Sequence, residues 1–397
     1  MRIALLSDFH LGYDRFREDA RRQAEEALEL ASQLADVLLI PGDIFDNRSP
    51  SPDVLAEAIN IFRELSKRQW KARVVKFDGK GETHTEIPVI AIPGTHERRA
   101  QNVEDPVDLL GLAGLLVDVS QACAVVEKDG ERVAIRGIGG ISEERFKEVL
   151  KAEDPRPVDG AFNVFMFHQS VYELLPFSQD FIRADELPDG FDLYVNGHIH
   201  SRFEGRVHGK PFLISGSTVL TQLKEGEQEQ KGFFVFDTST MSYNYNRINC
   251  RRFVHRKIEI EAAEPARVEE EIRKVIEEAS AKGDRPIIRI EVDGKLKKGF
   301  KNVDLNLSGL AKDYEDKAIV EISRKGVENA GIIAADSKRQ AFDNVSVKDY
   351  GLGIFLERLR HNEYDMSANP TQLFELLSSE GSREKIVKGA MDSLFNG

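Results

Sequence analysis

The 397-residue chain is poor in cysteine and in long apolar runs, and it has no excess of positive charge. Its two cysteines, Cys123 and Cys250, stand far apart with no CxxC spacing, which argues against a disulfide framework and a thiolate zinc site and suggests a reducing cytoplasm. No segment approaches the ~20 consecutive apolar residues that span a bilayer. Met1 leads straight into a strand-like Arg2–Leu6 with no basic stretch, apolar run and cleavage site, so a soluble chain is expected. Lys and Arg number 55 against 68 Asp and Glu, a formal net charge of −13, so bulk charge cannot hold nucleic acid and any grip on phosphate must be local. What is present is length: with 41% apolar and 31% charged residues, wholesale disorder is excluded and two or three domains are expected.

Residues 1–250 read as alternating strands and helices. Short apolar runs at 3–6, 37–40, 89–92, 164–167, 193–195, 211–214 and 233–236 predict buried strands of an α/β sandwich. The spacing of Ala20, Ala24, Ala27, Leu28, Ala31 and Leu34 predicts a helix over 16–34, and Ser51-Pro52-Asp53 opens another, with Ser capping free N–H groups and Pro suiting the first turn. Near residue 251 the character changes to a small α+β module over 251–325. Its first part, 251–301, carries 14 basic and 11 acidic residues, whereas 1–250 carries 29 and 41. A polar linker is expected over 326–345 and a helical segment over 346–397, where Leu352, Phe355, Leu356 and Leu359 make an amphipathic stripe and Leu373 and Leu376 fall on a second helix.

Five motifs follow strand ends in order: Asp8-Phe9-His10, Gly42-Asp43, Gly94-Thr95-His96-Glu97, His168-Gln169 and Gly197-His198-Ile199-His200. Each alone has a bland reading as a loop cap; five together, at the edge where α/β sheets place ligands, point to one site. Residues two apart on a strand share a face, so Asp8 with His10, and His198 with His200, are expected to converge. Carboxylate and imidazole without thiolate suit manganese, iron or zinc better than calcium, and so many donors suit two ions, whose charge would offset the acids and let an acidic domain accept phosphate.

With these motifs the chain resembles the calcineurin-like metallophosphoesterases over residues 3–237. The runs His10-Leu11-Gly12-Tyr13, Gly42-Asp43-Ile44-Phe45-Asp46 and Gly197-His198-Ile199-His200, with Gly216-Ser217 and Lys231-Gly232, resemble more narrowly the nuclease subunit of double-strand-break repair complexes, the SbcD type or meiotic recombination eleven family, in an archaeal-type version. The resemblance implies a two-sheet sandwich flanked by helices, a small capping domain that contacts DNA, and a manganese-dependent nuclease with two Mn2+ per subunit, Mg2+ being a possible substitute. It implies single-strand endonuclease and 3′-to-5′ exonuclease action on duplex ends, hairpins and single strands, as a homodimer. Asp8, His10 and His200 would hold the first ion and His168 and His198 the second, with Asp43 between them. His96 would serve the transition state or protonate the leaving oxygen. Water activated by the ions, its pKa lowered toward ~7, would attack phosphorus in line. Thr95 departs from the family's Asn, whose amide oxygen completes the second shell; a shorter hydroxyl predicts weaker occupancy there, unless the change is simply tolerated.

The resemblance also names a partner, a coiled-coil ABC-type ATPase (SbcC-like), engaged through Leu352, Phe355, Leu356, Leu359, Leu373 and Leu376; the bland alternative packs those helices on their own domain. Tyr13, Arg15 and Arg17 either line a DNA path or merely open a helix. Arg98 and Arg99 are candidates for phosphate contacts, and Lys295, Lys297, Lys298 and Lys301 form a basic run that touches duplex backbone or is only solvated. Gly137-Ile138-Gly139-Gly140 does not complete a dinucleotide loop, and Gly79-Lys80-Gly81 lacks the rest of a P-loop. Two other readings remain open: a phosphoesterase for small diesters or phosphoproteins, and a DNA-end tether whose cleavage is blunted at Thr95.

Overall fold

The computed structural model describes residues 1–328 apart from 79–80, 99–102, 121, 176–180 and 224–228. The six terminal apolar residues from Leu352 to Leu376, Arg99 and the expected linker from 329 onward lie outside the described residues, whereas 326–328, expected to begin that linker, complete the last strand of the small sheet.

Along the chain, β1 (Arg2–Leu5), α1 (Arg17–Leu34), β2 (Val37–Pro41) and α2 (Pro52–Ser66) come first. A hairpin, β3 (Arg73–Asp78) and β4 (Gly81–Thr85), precedes β5 (Val89–Ile92), α3 (Pro106–Leu112) and β6 (Val117–Asp118). Then follow β7 (Ala122–Lys128), β8 (Glu131–Ile138), α4 (Glu143–Glu153), β9 (Phe162–Phe167), β10 (Leu193–Asn196), β11 (Phe203–Val207), β12 (Lys210–Ile214), β13 (Gly232–Asp237) and β14 (Ser242–Arg247). The last part holds β15 (Phe253–Ala263), α5 (Pro265–Ser280), β16 (Ile287–Leu296), α6 (Leu307–Asp313) and β17 (Ile319–Glu328).

Two sheets face each other, one ordered β14-β13-β1-β2-β5-β6 and the other β11-β12-β10-β9-β8-β7-β3-β4. The alternation of side chains along each strand builds the layers. Ile3 and Leu5 of β1 and Val37 and Leu39 of β2 meet Val133, Ile135, Val164 and Met166 between the sheets. Their neighbours Ala4, Leu38 and Ile40 turn the other way, onto Ala24, Ala27, Leu28 and Ala31 of α1 and Ala58, Ile61 and Phe62 of α2. On the far side of the second sheet, Phe165 and Phe167 pack with Phe146 and Leu150 of α4. Because helices cover the outer faces, the central strands are apolar on both sides, which is why they read as short uninterrupted runs. Ser51 accepts a hydrogen bond from Val54 N with Pro52 at the first turn, as its sequence suggests. The fold is a mixed α/β sandwich of two sheets between helices.

Residues 253–328 form a separate parallel sheet, β15-β16-β17, with its own core under α5: Val268, Ile272 and Ile276 against Ile258, Ile288, Ile290 and Val292. It is fastened to the sandwich in three ways. Phe16, Ala20, Val219, Leu220 and Leu223 pack on Phe253 and Ile287. Arg251 grips the buried Asp19 with two hydrogen bonds, one of 2.9 Å from Nη2 to Oδ1. Glu321 of β17 takes Arg15 on one carboxylate oxygen and Arg289 of β16 on the other. Among the described residues no helix is long and apolar enough to cross a membrane.

Candidate metal centre

The site lies beyond the ends of β1, β2, β5, β9 and β10, and its residues do not converge by strand alternation as the spacing suggests. β1 ends at Leu5 and β10 at Asn196, so Asp8, His10, His198 and His200 sit on loops. The loops are turned by left-handed backbone, with φ of 55° at Asp8, 49° at His10, 52° at Asp43 and 70° at His198. That conformation is costly for residues with a Cβ, and its concentration here marks a site that the surrounding structure holds in place. The holding is visible in the backbone: Asp8 N donates to Gly42 O at 3.2 Å, His10 N to Asp43 O at 3.0 Å and Leu11 N to Ile44 O at 2.8 Å, so the first two loops extend the ladder of their strands. Gly42, at φ 93°, is required twice over, since a Cβ there would also run into His168 Nδ1.

One cluster gathers Asp8, His10 and His200, and another Asp43, His168 and His198; within each, candidate ligand atoms lie within 4.8 Å of one another. In the first, His10 Nε2 and His200 Nε2 are 3.1 Å apart and His200 Nε2 is 3.8 Å from Asp8 Oδ1. Ser7 Oγ donates to Asp8 Oδ2, and Asp8 Oδ1 also accepts from His198 N at 3.0 Å, which links the clusters. In the second, His168 Nε2 is 3.2 Å from Asp43 Oδ2 but off the line of a hydrogen bond, so this fully buried nitrogen has an electrostatic partner only. Thr95 Oγ1 stands 3.5 Å from His198 Nδ1, beside the second cluster.

Burial opposes the charged form of every group here, and the outcome differs with the neighbours. At Asp43 the facing His168 outweighs burial and holds the carboxyl well below its usual range. The same pairing overcomes burial at His168 and lifts it to about 9. Burial raises Asp8. Burial lowers His198 to about 4 and His200 to about 2, with neighbouring cations adding to the effect, so both are neutral imidazoles at pH 7, the form that ligates a metal. At His10 burial pulls downward, yet Asp46, Asp43 and Asp8 together raise it. An anionic, thiolate-free set of nitrogen and oxygen donors, two of them ready neutral imidazoles and one an orphaned buried nitrogen, fits divalent cations of the manganese, iron or zinc type.

Sequence reasoning missed the residues that hold the ligands. Asp46 Oδ1 lies 3.2 Å from His10 Nδ1 and 3.6 Å from His96 Nδ1, while its backbone oxygen accepts from His96 Nδ1 at 2.7 Å. Glu97, fully buried, accepts from the backbone N–H groups of Asp43, Phe45 and Gly94 at 3.1, 2.7 and 2.7 Å and so clamps two of the loops together. Burial and Asp43 raise its pKa; the N–H groups of Gly94 and Phe45 oppose that rise. Both residues stand inside motifs already singled out, so the signal was there. Lys231, quoted in the run Lys231-Gly232, donates its buried Nζ to His200 O at 3.1 Å, whereas Thr221, whose Oγ1 lies 2.6 Å from His200 Nδ1, carried no such signal. His96 itself lies at the mouth, its side chain 43% exposed, with its backbone N–H donating to Asp43 Oδ1 at 2.9 Å.

The basic and aromatic candidates fare differently. Tyr13 OH donates to Thr221 O at 2.8 Å, Arg15 pairs with Glu321, and Arg17 pairs with Glu57 at 2.8 Å, so each of the three has a partner within the protein, and both arginines are also partly exposed. Lys297 pairs with Glu264, while Lys295 and Lys298 are exposed. Arg98 is exposed next to the site.

With this geometry in hand, the comparisons with known proteins are direct. The calcineurin-like phosphoesterase family matches residues 1–202, and the chain belongs to that family, as a metal-binding hydrolase of phosphate esters. Among curated relatives it is 28% identical over 301 residues to the DNA double-strand break repair protein Mre11 of Methanopyrus kandleri, covering 69% of this chain and 62% of that protein. It is 27% identical over 375 residues to the double-strand break repair protein MRE11 of Encephalitozoon cuniculi, covering 85% and 65%, and 27% identical to the Mre11 of Sulfolobus acidocaldarius, covering 75% and 76%. The matched region thus spans less than two thirds of the first two relatives.

Proposed function

We propose that the protein is a manganese-dependent DNA nuclease that processes DNA ends in double-strand-break repair. The observation that supports this best is the pair of nitrogen–oxygen clusters meeting at one sheet edge in a phosphoesterase whose curated relatives are break-repair proteins. Two bound Mn2+ ions, or Mg2+ in their place, would polarise the phosphate and lower the pKa of attacking water. Asp8, His10 and His200 hold the first ion; Asp43, His168 and His198 hold the second, with Thr95 beside it and Asp43 shared. Asp46 and Thr221 fix the proton on the outer nitrogens of His10 and His200. At His96 the Asp46 carbonyl holds the proton on Nδ1, which leaves Nε2, at the exposed mouth, to exchange a proton with the leaving oxygen. No covalent nucleophile is required.

On this reading residues 251–325 cap the site and contact DNA, with Lys295, Lys298 and Arg98 as phosphate contacts. The substrates are duplex ends, hairpins and single strands, cut by 3′-to-5′ exonuclease and single-strand endonuclease action, and the work is done on the chromosome in the cytoplasm. The segment beyond 345 binds a coiled-coil ABC-type ATPase, and the chain works as a homodimer. The helical side of the first sheet favours a second copy, because Ile59 of α2 and Leu109 and Leu112 of α3 are 40, 43 and 76% exposed there. The test is purified protein with Mn2+ on end-labelled duplex DNA and on a small aryl phosphodiester, each with a chelator control. Metal-dependent shortening of the DNA is expected; turnover of the small ester alone, or binding of DNA without cleavage, would overturn the nuclease reading.

A further inference from the structure

We propose that Glu143 is a positioning residue for His198, and through it for the second ion of the centre. The inference rests on the two-ion reading above and adds to it a residue from outside the five motifs. Three of the four ligand histidines present one nitrogen inward and have the other fixed by an oxygen. His10 Nδ1 has Asp46 Oδ1 at 3.2 Å, His168 Nδ1 has Pro41 O at 2.6 Å, and His200 Nδ1 has Thr221 Oγ1 at 2.6 Å. Such outer contacts set the tautomer and the ring angle of a metal-binding imidazole. His198 is the fourth. Its Nδ1 faces Thr95 beside the second cluster, and its Nε2 is 3.7 Å from Glu143 Oε1.

Glu143 is well placed for this work. It is the first residue of α4, and that helix is anchored immediately behind the site: Phe146, buried, packs its ring at a tilt, 6.2 Å from that of Phe167, the residue before His168. The loop leading into α4 is tied to the same strand end, since Gln169 Nε2 donates to Ile141 O at 2.9 Å. Gln169 N and O are in turn paired with the side chain of Asn196, at 3.0 and 2.9 Å, next to the Gly197-His198 turn. Three elements therefore fix the distance between the glutamate and the imidazole. At 3.7 Å from a neutral imidazole, the carboxylate needs only a small rotation to accept a hydrogen bond from Nε2–H, and contacts of this kind commonly tighten when a site is loaded. The role is to keep the proton on Nε2 and the lone pair on Nδ1. It matters more here than at the other histidines because Thr95, with its short hydroxyl, leaves His198 a larger share in holding the second ion.

The test is a Mn2+ titration by calorimetry on the full chain, with Glu143→Ala, Glu143→Gln and, as a control for loss of charge on the same helical turn, the exposed Glu144→Ala. The wild type is expected to bind two ions. Glu143→Ala should weaken one of them ~10- to 100-fold and leave the other unchanged, the usual cost of losing such an outer partner. Glu143→Gln, whose amide oxygen still accepts the N–H, should recover most of the loss, and Glu144→Ala should match the wild type. Unchanged binding in Glu143→Ala, or an equal loss in Glu144→Ala, overturns the proposal while leaving the two-ion reading intact. A wild type that takes up no second ion overturns both. Thermal melting without metal checks that each variant folds, and Glu143→Gln preserves the test if the alanine variant does not.

Discussion

The two ligand clusters are built alike from one carboxylate and two imidazoles, yet they wait for a cation in opposite states. In the first, burial raises the Asp8 carboxyl, neighbouring carboxylates lift His10 against burial, and His200 is neutral. The second holds Asp43 and His168 as a buried ion pair, the histidine already playing the cation's part. On the two-ion reading, a metal entering the second cluster must displace the proton of His168, so the protonation of the donors as well as their identity bears on how the two sites fill.

The largest effect should come from Asp43→Ala, which removes the carboxylate that the proposed reading shares between the two ions: loss of several kcal/mol of charge stabilisation predicts a ~10³-fold fall in metal-dependent phosphodiester hydrolysis, measured with a small aryl diester so that DNA binding plays no part. Asp46→Ala frees the outer nitrogen of His10 and should weaken the first ion ~10- to 100-fold by calorimetry, leaving the second. If both ions weaken equally, the clusters are not separable. Thr95→Asn should act in the other direction and only on the second ion, on the order of tenfold tighter, seen as a fall in the Mn2+ concentration for half-maximal activity. The smallest signal sharpens the contrast most. Because His168 rests protonated up to about 9, loading the second pocket should release about one proton at pH 7.5, measured in buffers of different ionisation heat. Apparent affinity should climb with pH until about 9 and then level, since above that value there is no proton left to displace. A pH-independent second affinity would show that the pair is not ionised.

Much of this centre could be read from the chain. Short apolar runs gave the strands because both faces of each central strand are covered, and the strand-end acids and histidines named seven candidates that the fold brings to one place, because ligand chemistry restricts residue type. The geometry that joins them was not legible. Left-handed turns at Asp8, His10, Asp43 and His198 do the work assigned to strand pleat, and nothing in Asp or His as residue types announces a positive φ. Thr221 and Glu143 reach the site only through tertiary packing, so no spacing rule finds them. Arg15 and Arg17 were ambiguous for a related reason: whether a surface arginine is open to phosphate depends on a carboxylate elsewhere in the chain, here Glu321 and Glu57.

Glu321, gripped from two sides, has a mechanical meaning. One of its guanidinium partners belongs to its own sheet, while the other, Arg15, stands five residues past His10 on the strand of chain that leaves the first pocket. A small sheet that swung off the sandwich would part Arg15 from Glu321 and pull on the chain that leads back to His10, so a load applied to β17 is delivered within a few residues of the candidate centre.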